Sequence, residues 1–427
     1  MNSFEYIKKY AAMLAGQEYP VGAGARLFVL EGDAVYATKK GADLGNLAEG
    51  DIEKLPRFIT LKSSQELRAA VISQTPACTA WLARSEALVP ALDDMAQIIG
   101  TRAEVIDGSA GLESAAGKLS GALRTNAGCF VTAGKDAAGA YHGYTLTVGR
   151  TPYEAIVAMT VLEKSAEVTL LTEKLGGACR IAPWERKLMR LVYMKKYSKA
   201  EEKVKSAEAA TAGSTEKDDK LGSSGSCAAP EGKEQAGETA CSAREEGLRK
   251  MLVEYGKKLV NSGLVQGTWG NLSVRVDDKY MLATPSGLDY MRLTPSDMVK
   301  VNIDTLEYEG GLKPTSEKGL HAAVYKNRPD VGAIIHTHAK YCSVYAAAHK
   351  DLPVPPEKDG AAEFSNPVRL AAYALPGTKA LMKNTAAAVG QNSGAIMANH
   401  GMIVCGGSLE ETFRKAEALE KLAGESL

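Results

Sequence analysis

Apolar and polar positions change period several times along this chain, and each change marks an element. Residues Phe4 to Leu14 carry helical spacing. Arg26-Leu27-Phe28-Val29-Leu30 and Ala34-Val35-Tyr36-Ala37-Thr38 then read as two strands across Glu31-Gly32-Asp33, where Gly-Asp between such runs signals a hairpin. Helical spacing returns from Ser64 to Ile72 and from Thr151 to about Leu171. The second of these opens on Thr151, Pro152 and Glu154, a capping box with proline in the first turn. Leu248, Leu252, Tyr255, Leu259 and Val260 form the apolar stripe of a helix from about Glu245 to Asn261. Strands Leu272–Val276 and Tyr280–Ala283 follow, joined at Asp277-Asp278, and Thr294-Pro295-Ser296-Asp297 and Ser408-Leu409-Glu410-Glu411 are further helix starts of the capping type. Strand-rich blocks separated by helices predict an α/β fold: a mixed, largely antiparallel sheet with helices on its faces.

The pattern also suggests that the chain repeats itself. Ala37-Thr38, Gly41, Asp43, Leu47 and Asp51 match Ala283-Thr284, Gly287, Asp289, Leu293 and Asp297 at a constant offset of 246 residues. Ala69-Ala70-Val71 with Pro76 match Ala322-Ala323-Val324 with Pro329 at 253, and Leu162-Glu163-Lys164 matches Leu419-Glu420-Lys421 at 257. On this alignment the first copy carries Ser64, Ala83, Ser85 and Ala25 where the second has Glu317, His336, His338 and Asn271, with His142-Gly143 within one residue of His400-Gly401. Two unrelated α/β domains with chance matches are the alternative. Between the copies the composition shifts to Ala, Glu, Lys, Ser, Gly and Thr, which cannot bury enough apolar area to fold. The expected division is therefore a domain over 1–198, a disordered linker over 199–243 and a second domain over 244–427.

Composition narrows the function classes. The chain has 427 residues, 45% hydrophobic and 24% charged, enough for two or three domains with sizeable cores. Its 51 Lys and Arg equal its 51 Asp and Glu, so no net field draws it to nucleic acid or an anionic membrane surface. The N-terminal residues lack the apolar core of a signal peptide and no apolar run is long enough to span a bilayer, which gives a cytoplasmic protein as the expectation. Seven cysteines without a close C-x-x-C pair argue against a disulfide framework or a cysteine zinc site.

The chemistry concentrates in the second half. His336 and His338, two apart at the end of the run Val331-Gly332-Ala333-Ile334-Ile335, would point the same way from a strand. His400 lies between two further apolar runs, Gly394–Met397 and Met402–Cys405, and three imidazoles with an open position are the ligand set of a catalytic zinc site. Neutral imidazole also suits other divalent transition metals. Gly270-Asn271, Thr284-Pro285-Ser286-Gly287 and Thr315-Ser316, just before the helix that Glu317 begins, are turns and helix starts able to cradle a phosphate. His321 has the character of a supporting or surface group, and His349 that of a solvent-facing loop residue.

With these motifs, roughly residues 244 to 427 resemble the class II aldolase/adducin family, the metal-dependent sugar-phosphate aldolases and 4-epimerases. The resemblance implies a tandem of a degenerate, pseudoenzyme copy and an intact catalytic one. It implies that His336, His338 and His400 hold Zn2+ or another divalent metal, and that Asn271, Ser286, Gly287, Thr315 and Ser316 bind a ketose phosphate. Glu317 would do acid/base work beside the metal, and Tyr373, which precedes Gly377-Thr378, would be a proton donor in enediolate chemistry. Homo-oligomers are common in the family. Aldol cleavage leads because Glu occupies position 317 where the 4-epimerases carry Asp. A methylthioribulose-phosphate dehydratase shares Glu and the three histidines, and an adducin-like scaffold without catalysis would fit the first copy. The chain ends 27 residues after His400, whereas relatives have a longer tail that reaches toward a neighbouring subunit's active site; the stretch after the first copy, with Trp184, Tyr193 and Tyr197, is expected to cap a neighbouring catalytic site.

Overall fold

The computed structural model describes residues 3–32, 34–55, 67–195, 235–265 and 269–427. The first half runs α1 (Ser3–Ala15), β1 (Arg26–Glu31), β2 (Ala34–Thr38), β3 (Ile52–Leu55), β4 (Ala69–Ser73), α2 (Pro76–Leu82), α3 (Asp93–Ile98), β5 (Val105–Asp107), α4 (Leu112–Ala122), β6 (Gly128–Lys135), β7 (Tyr141–Gly149), α5 (Pro152–Leu171) and a helix α6 over residues 183–195. The second half runs α7 (Gln235–Asn261), β8 (Asn271–Arg275), β9 (Tyr280–Ala283), β10 (Val299–Asn302), α8 (Lys318–Asn327), β11 (Ala333–Thr337), α9 (Lys340–Ala348), β12 (Leu370–Ala371), α10 (Lys379–Val389), β13 (Gly394–Met397), β14 (Gly401–Gly406) and α11 (Leu409–Glu425).

Each half holds one seven-stranded mixed sheet, and the two strand orders correspond position by position: β3-β2-β1-β4-β7-β6-β5 and β10-β9-β8-β11-β14-β13-β12. In both, the last pair (β5 with β6, β12 with β13) is parallel and the other pairings are antiparallel. The second sheet is covered on both faces. Leu272, Val274, Ile335 and Val404 pack with residues of α7, α9 and α11, while Met281, Ile334, Ala395 and Ile403 pack with α8 and α10. Because neighbours along a strand face opposite ways, a one-residue slip of β11 would exchange its two apolar faces and turn His336 away from its partners. The buried isoleucines on either side therefore set where that imidazole points.

A shared capping device fixes the helices that leave the two central strands. Glu163 accepts the N–H groups of Ala77 and Cys78 at 2.7 and 2.8 Å at the start of α2. Glu420 accepts those of Tyr341 and Cys342 at 2.7 and 2.9 Å at the start of α9. A carboxylate satisfies N–H groups that a helix's first turn leaves without internal partners, where the dipole favours negative charge.

Three sequence expectations need correction. The helical spacing over Ser64–Ile72 is instead strand β4 over Ala69–Ser73, whose residues alternate between fully and partly buried; a short apolar run fits either period, and β-branched Val71 and Ile72 favour the strand. Ser64 itself lies outside the described residues. The match of Ala69-Ala70-Val71 to Ala322-Ala323-Val324 joins a strand to part of helix α8. By ladder register Arg26 opposes Ile72 as Asn271 opposes His336, and Ile72 opposes Leu146 as His336 opposes Ile403. Ile72 and Arg26 thus hold the places of His336 and Asn271, in place of Ala83 and Ala25. Finally, α7 begins at Gln235, inside the expected linker, because Ala, Glu and Arg residues extend the helix toward its N-terminus; positions 199–234 lie outside the described residues.

Candidate metal centre

The site begins at the C-terminal end of β11. His336 is fully buried, and its Nδ1–H donates to the carbonyl of Met402 at 2.7 Å, which leaves Nε2 as the free lone pair. His338 lies one residue beyond the strand and presents Nε2 to His336 Nε2 at 3.1 Å. His400 enters from the turn between β13 and β14, where Asn399 takes a left-handed φ of 57° and His400 N–H donates to Met397 O at 3.0 Å. Gly401 follows because a Cβ there would sit 2.3 Å from Thr337 O. The three ring centroids lie 4.7 to 5.0 Å apart.

Glu317, at the start of α8, reaches into the same point. Its Oε1 is 3.0 Å from His400 Nε2 and its Oε2 is 3.1 Å from His336 Nε2. A hydrogen-bonded chain behind it holds the carboxylate: Asn271 Nδ2 donates to Oε2 at 2.9 Å, Asn271 Oδ1 meets His321 Nε2, and His321 Nδ1 meets Ser273 Oγ at 2.6 Å. Burial opposes charge on Glu317, yet His336 and His400 hold its carboxyl well below the usual range. Burial pushes His336 down to about 3 and His338 downward as well, so both rings are neutral and able to ligate. Burial also works against the charge of His400, but Glu317 and Asp93 prevail and push it up to about 10.

Two aspartates complete the surroundings, and both come from the first half of the chain. Asp93 Oδ2 is 2.8 Å from His400 Nδ1, and Asp94 Oδ2 is 3.7 Å from His338 Nδ1 and 2.8 Å from Lys164 Nζ. Neither was legible as part of the site. The signal was there in a different form: adjacent acids inside the apolar stretch Leu88–Ile99 must be buried next to something cationic.

These residues fit a divalent cation. His336, His338 and His400 offer ligand atoms within 4.8 Å of one another. His400 Nε2 is buried without a hydrogen-bond partner, although the Glu317 carboxylate is close by. With neutral imidazoles, Asp93, Asp94, Glu317 and Lys164 sum to a charge of about −2, which a dication would balance and which the metal-free site offsets in part by protonating His400. Imidazole nitrogens with one carboxylate suit zinc and neighbouring transition metals better than calcium or magnesium.

A profile described as Class II Aldolase and Adducin N-terminal domain matches residues 250–427. Over 174 residues the chain is 36% identical to a 5-deoxy-D-ribulose 1-phosphate aldolase of Bacillus thuringiensis, covering 40% of this chain and 80% of that protein. Over 176 residues it is 38% identical to a 5-methylthioribulose-1-phosphate/5-deoxyribulose-1-phosphate aldolase of Rhodospirillum rubrum, with 41% and 78% covered. It is 35% identical over 176 residues to an L-fuculose phosphate aldolase of Escherichia coli, with 41% and 80% covered. The chain belongs to the class II aldolase/adducin family. The matched region is the half that carries the three histidines.

A cavity of about 360 Å³ opens beside the centre of this family member, and Glu317, His338 and His400 reach it. Asn271, Ser286, Gly287, Thr315 and Ser316 all line it. Gly287 has a φ of 75° that favours glycine, and Thr315 Oγ1 accepts the Glu317 N–H at 3.2 Å. Asn271 gives one of its two amide N–H groups to Glu317 and still lines the cavity. Tyr373 is not among the residues lining the cavity: it packs against Ala96, Ile181 and Met189, and burial and the nearby Asp93 raise its phenol further. Tyr193, on α6, does line the cavity, along with Met189 and Val192 of the same helix. His321 is fully buried behind Glu317, whereas His349 is exposed and bonds Asn399 Oδ1 at 2.6 Å. Among the described residues, no helix is long and apolar enough to cross a membrane.

Proposed function

We propose that this chain is a metal-dependent aldolase that cleaves a ketose phosphate into a three-carbon ketone phosphate and an aldehyde. The observation that carries the reading is the convergence of three imidazoles and one carboxylate beside a cavity that is largely apolar but has the turn Ser286-Gly287 and the hydroxyl residues Thr315 and Ser316 in its wall. His336, His338 and His400 would hold the ion, zinc first, with Glu317 as a fourth donor before substrate enters. The ion supplies a Lewis acid that polarises a substrate carbonyl.

The chain's own residues do the rest. The turn Ser286-Gly287 and the Thr315-Ser316 segment at the start of α8 offer N–H and hydroxyl donors, and the helix dipole adds to their hold on a phosphate. Glu317, kept charged and aimed by Asn271, moves the proton at the carbon next to the broken bond. A phenol serves the aldehyde oxygen: Tyr193 faces the cavity, and Tyr373 keeps its proton beside Asp93.

The first half is, on this reading, a copy that has lost the chemistry. Its sheet has the same strand order and its α2 the same capping carboxylate, yet Arg26, Ile72 and Gly143 stand at the register positions of Asn271, His336 and His400. The test is product analysis of the zinc-loaded chain with ketose 1-phosphates differing at the far end (polyol, deoxy and methylthio). Release of a three-carbon ketone phosphate and an aldehyde supports the aldolase. Loss of water with the carbon chain intact would make it a dehydratase, and no turnover of any of them by fully loaded protein would sink the enzyme reading. Tyr193→Phe and Tyr373→Phe, compared on the same substrate, identify the phenol.

A further inference from the structure

Three histidines form the centre, and two of them, His336 and His400, are held by a hydrogen bond to the other ring nitrogen. His336 is held within its own half, by the carbonyl of Met402 at 2.7 Å. His400 is held from the other half of the chain, by Asp93, and the attachment is more than one hydrogen bond. Asp93 N–H donates to the carbonyl of Asn399 at 2.8 Å, and Asn399 Nδ2 donates back to the carbonyls of Ala91 and Cys179 at 2.9 and 2.7 Å. The residue before the ligand and the residue that grips the ligand are therefore tied by main chain and side chain together.

We infer that Asp93 is a positioning residue of the metal centre, supplied by the half of the chain that carries none of the ligands. The inference rests on the metal-dependent reading above. An imidazole that donates its Nδ1–H to a carboxylate is fixed in one tautomer and one orientation, with a more basic Nε2 toward the ion. A purely structural role does not account for Asp93. Its neighbour Asp94 has Lys164 at 2.8 Å, a complete ion pair, whereas Asp93 is fully buried and its Oδ2 has Nδ1 of His400, at 2.8 Å, as its side-chain partner. A buried carboxylate is costly unless it is paired and hydrogen-bonded, and the group paired with this one is the outer nitrogen of a proposed ligand. The degenerate half thus keeps a task in the other half's site.

The test is zinc affinity of the full-length, metal-stripped chain, measured by competition with a chromogenic chelator. Asp93→Ala is expected to bind zinc about 10- to 100-fold more weakly than wild type, and Asp93→Asn to weaken it in the same direction by less. Glu167→Gln breaks an ion pair between the halves, Lys340 to Glu167 at 3.0 Å, without touching a ligand, and should bind as wild type does. Should Asp93→Ala not fold, Asp93→Asn, nearly isosteric, carries the comparison, with near-UV circular dichroism reporting the packing. Wild-type affinity in a folded Asp93 variant, or an equal loss in Glu167→Gln, would overturn the inference while leaving the metal-dependent reading intact. A wild-type chain that holds no zinc would overturn that reading itself, and this inference with it.

Discussion

Replacing Lys164 by Met should destabilise the protein far more than a surface lysine would. Lys164 Nζ lies 2.8 Å from Asp94 Oδ2, and the two side chains are 5% and 1% exposed, so the pair is shut away from water between α5 and α3. Methionine nearly matches the volume of the lysine stem and keeps the packing of α5, which isolates the electrostatic effect. What remains is a buried carboxylate without its ammonium, and breaking one partner of such a pair costs about 3–5 kcal/mol. Burial by itself would raise the Asp94 carboxyl; Lys164 first, and then His338, hold it below the ordinary value. A depressed carboxyl contributes stability above its unfolded value, lost as pH falls through the folded one, so the lysine matters at neutral pH. At about 2–4 °C per kcal/mol for a domain of this size, the melting temperature of the metal-free protein should fall by roughly 6–20 °C. Differential scanning calorimetry in the presence of a chelator measures this. Adding Asp94→Leu should recover a large part of the loss, since no buried charge is then stranded. If Lys164→Met alone melted within a degree of wild type, Asp94 would have to be solvated or protonated, and the described packing of α3 on α5 would be wrong.

Other perturbations separate holding from chemistry. Glu317→Gln at saturating metal should lower kcat by at least about 100-fold with little change in KM, because the phosphate contacts lie elsewhere; steady-state kinetics decides. Burial pushes His321 down from 6.5 to about 4, against a smaller opposing pull from Glu317. The folded state therefore resists a proton that the unfolded chain takes up below pH 6.5, and stability should fall by about 3 kcal/mol between pH 6.5 and 4. Urea midpoints across that window should show the fall in wild type and a flatter profile in His321→Asn. Glu420→Ala strips two N–H groups at the start of α9, directly after His338, and should cost about 1–3 kcal/mol, read as a lower melting temperature.

What the sequence made legible follows from range. His336 and His338 are local: an apolar run ending in two histidines at i and i+2 fixes their direction from the period of a strand alone. The Thr315-Ser316-Glu317 helix start and the caps at Thr151 and Ser408 are equally local, and their side chains do accept the expected N–H bonds at Thr151 and Ser408. Asp93 lies 307 residues from His400 in the chain, and no periodicity connects them. The same limit explains the misplaced equivalence of Ala69–Val71 with Ala322–Val324: three small apolar residues look alike in a strand and in a helix, and the hydrogen-bond ladders were needed to tell them apart. In the sequence Tyr373 stands out only by its neighbours Gly377 and Thr378, a motif that does not say which way the ring turns. It turns toward Asp93.

The most direct measurement is metal content and aldol cleavage determined together on purified wild type and His336→Ala. The account predicts one transition-metal ion per chain and cleavage of a ketose phosphate in wild type, with both lost in the variant while the fold is kept. A wild type without stoichiometric metal, or a His336→Ala protein that cleaves as fast as wild type, would contradict it.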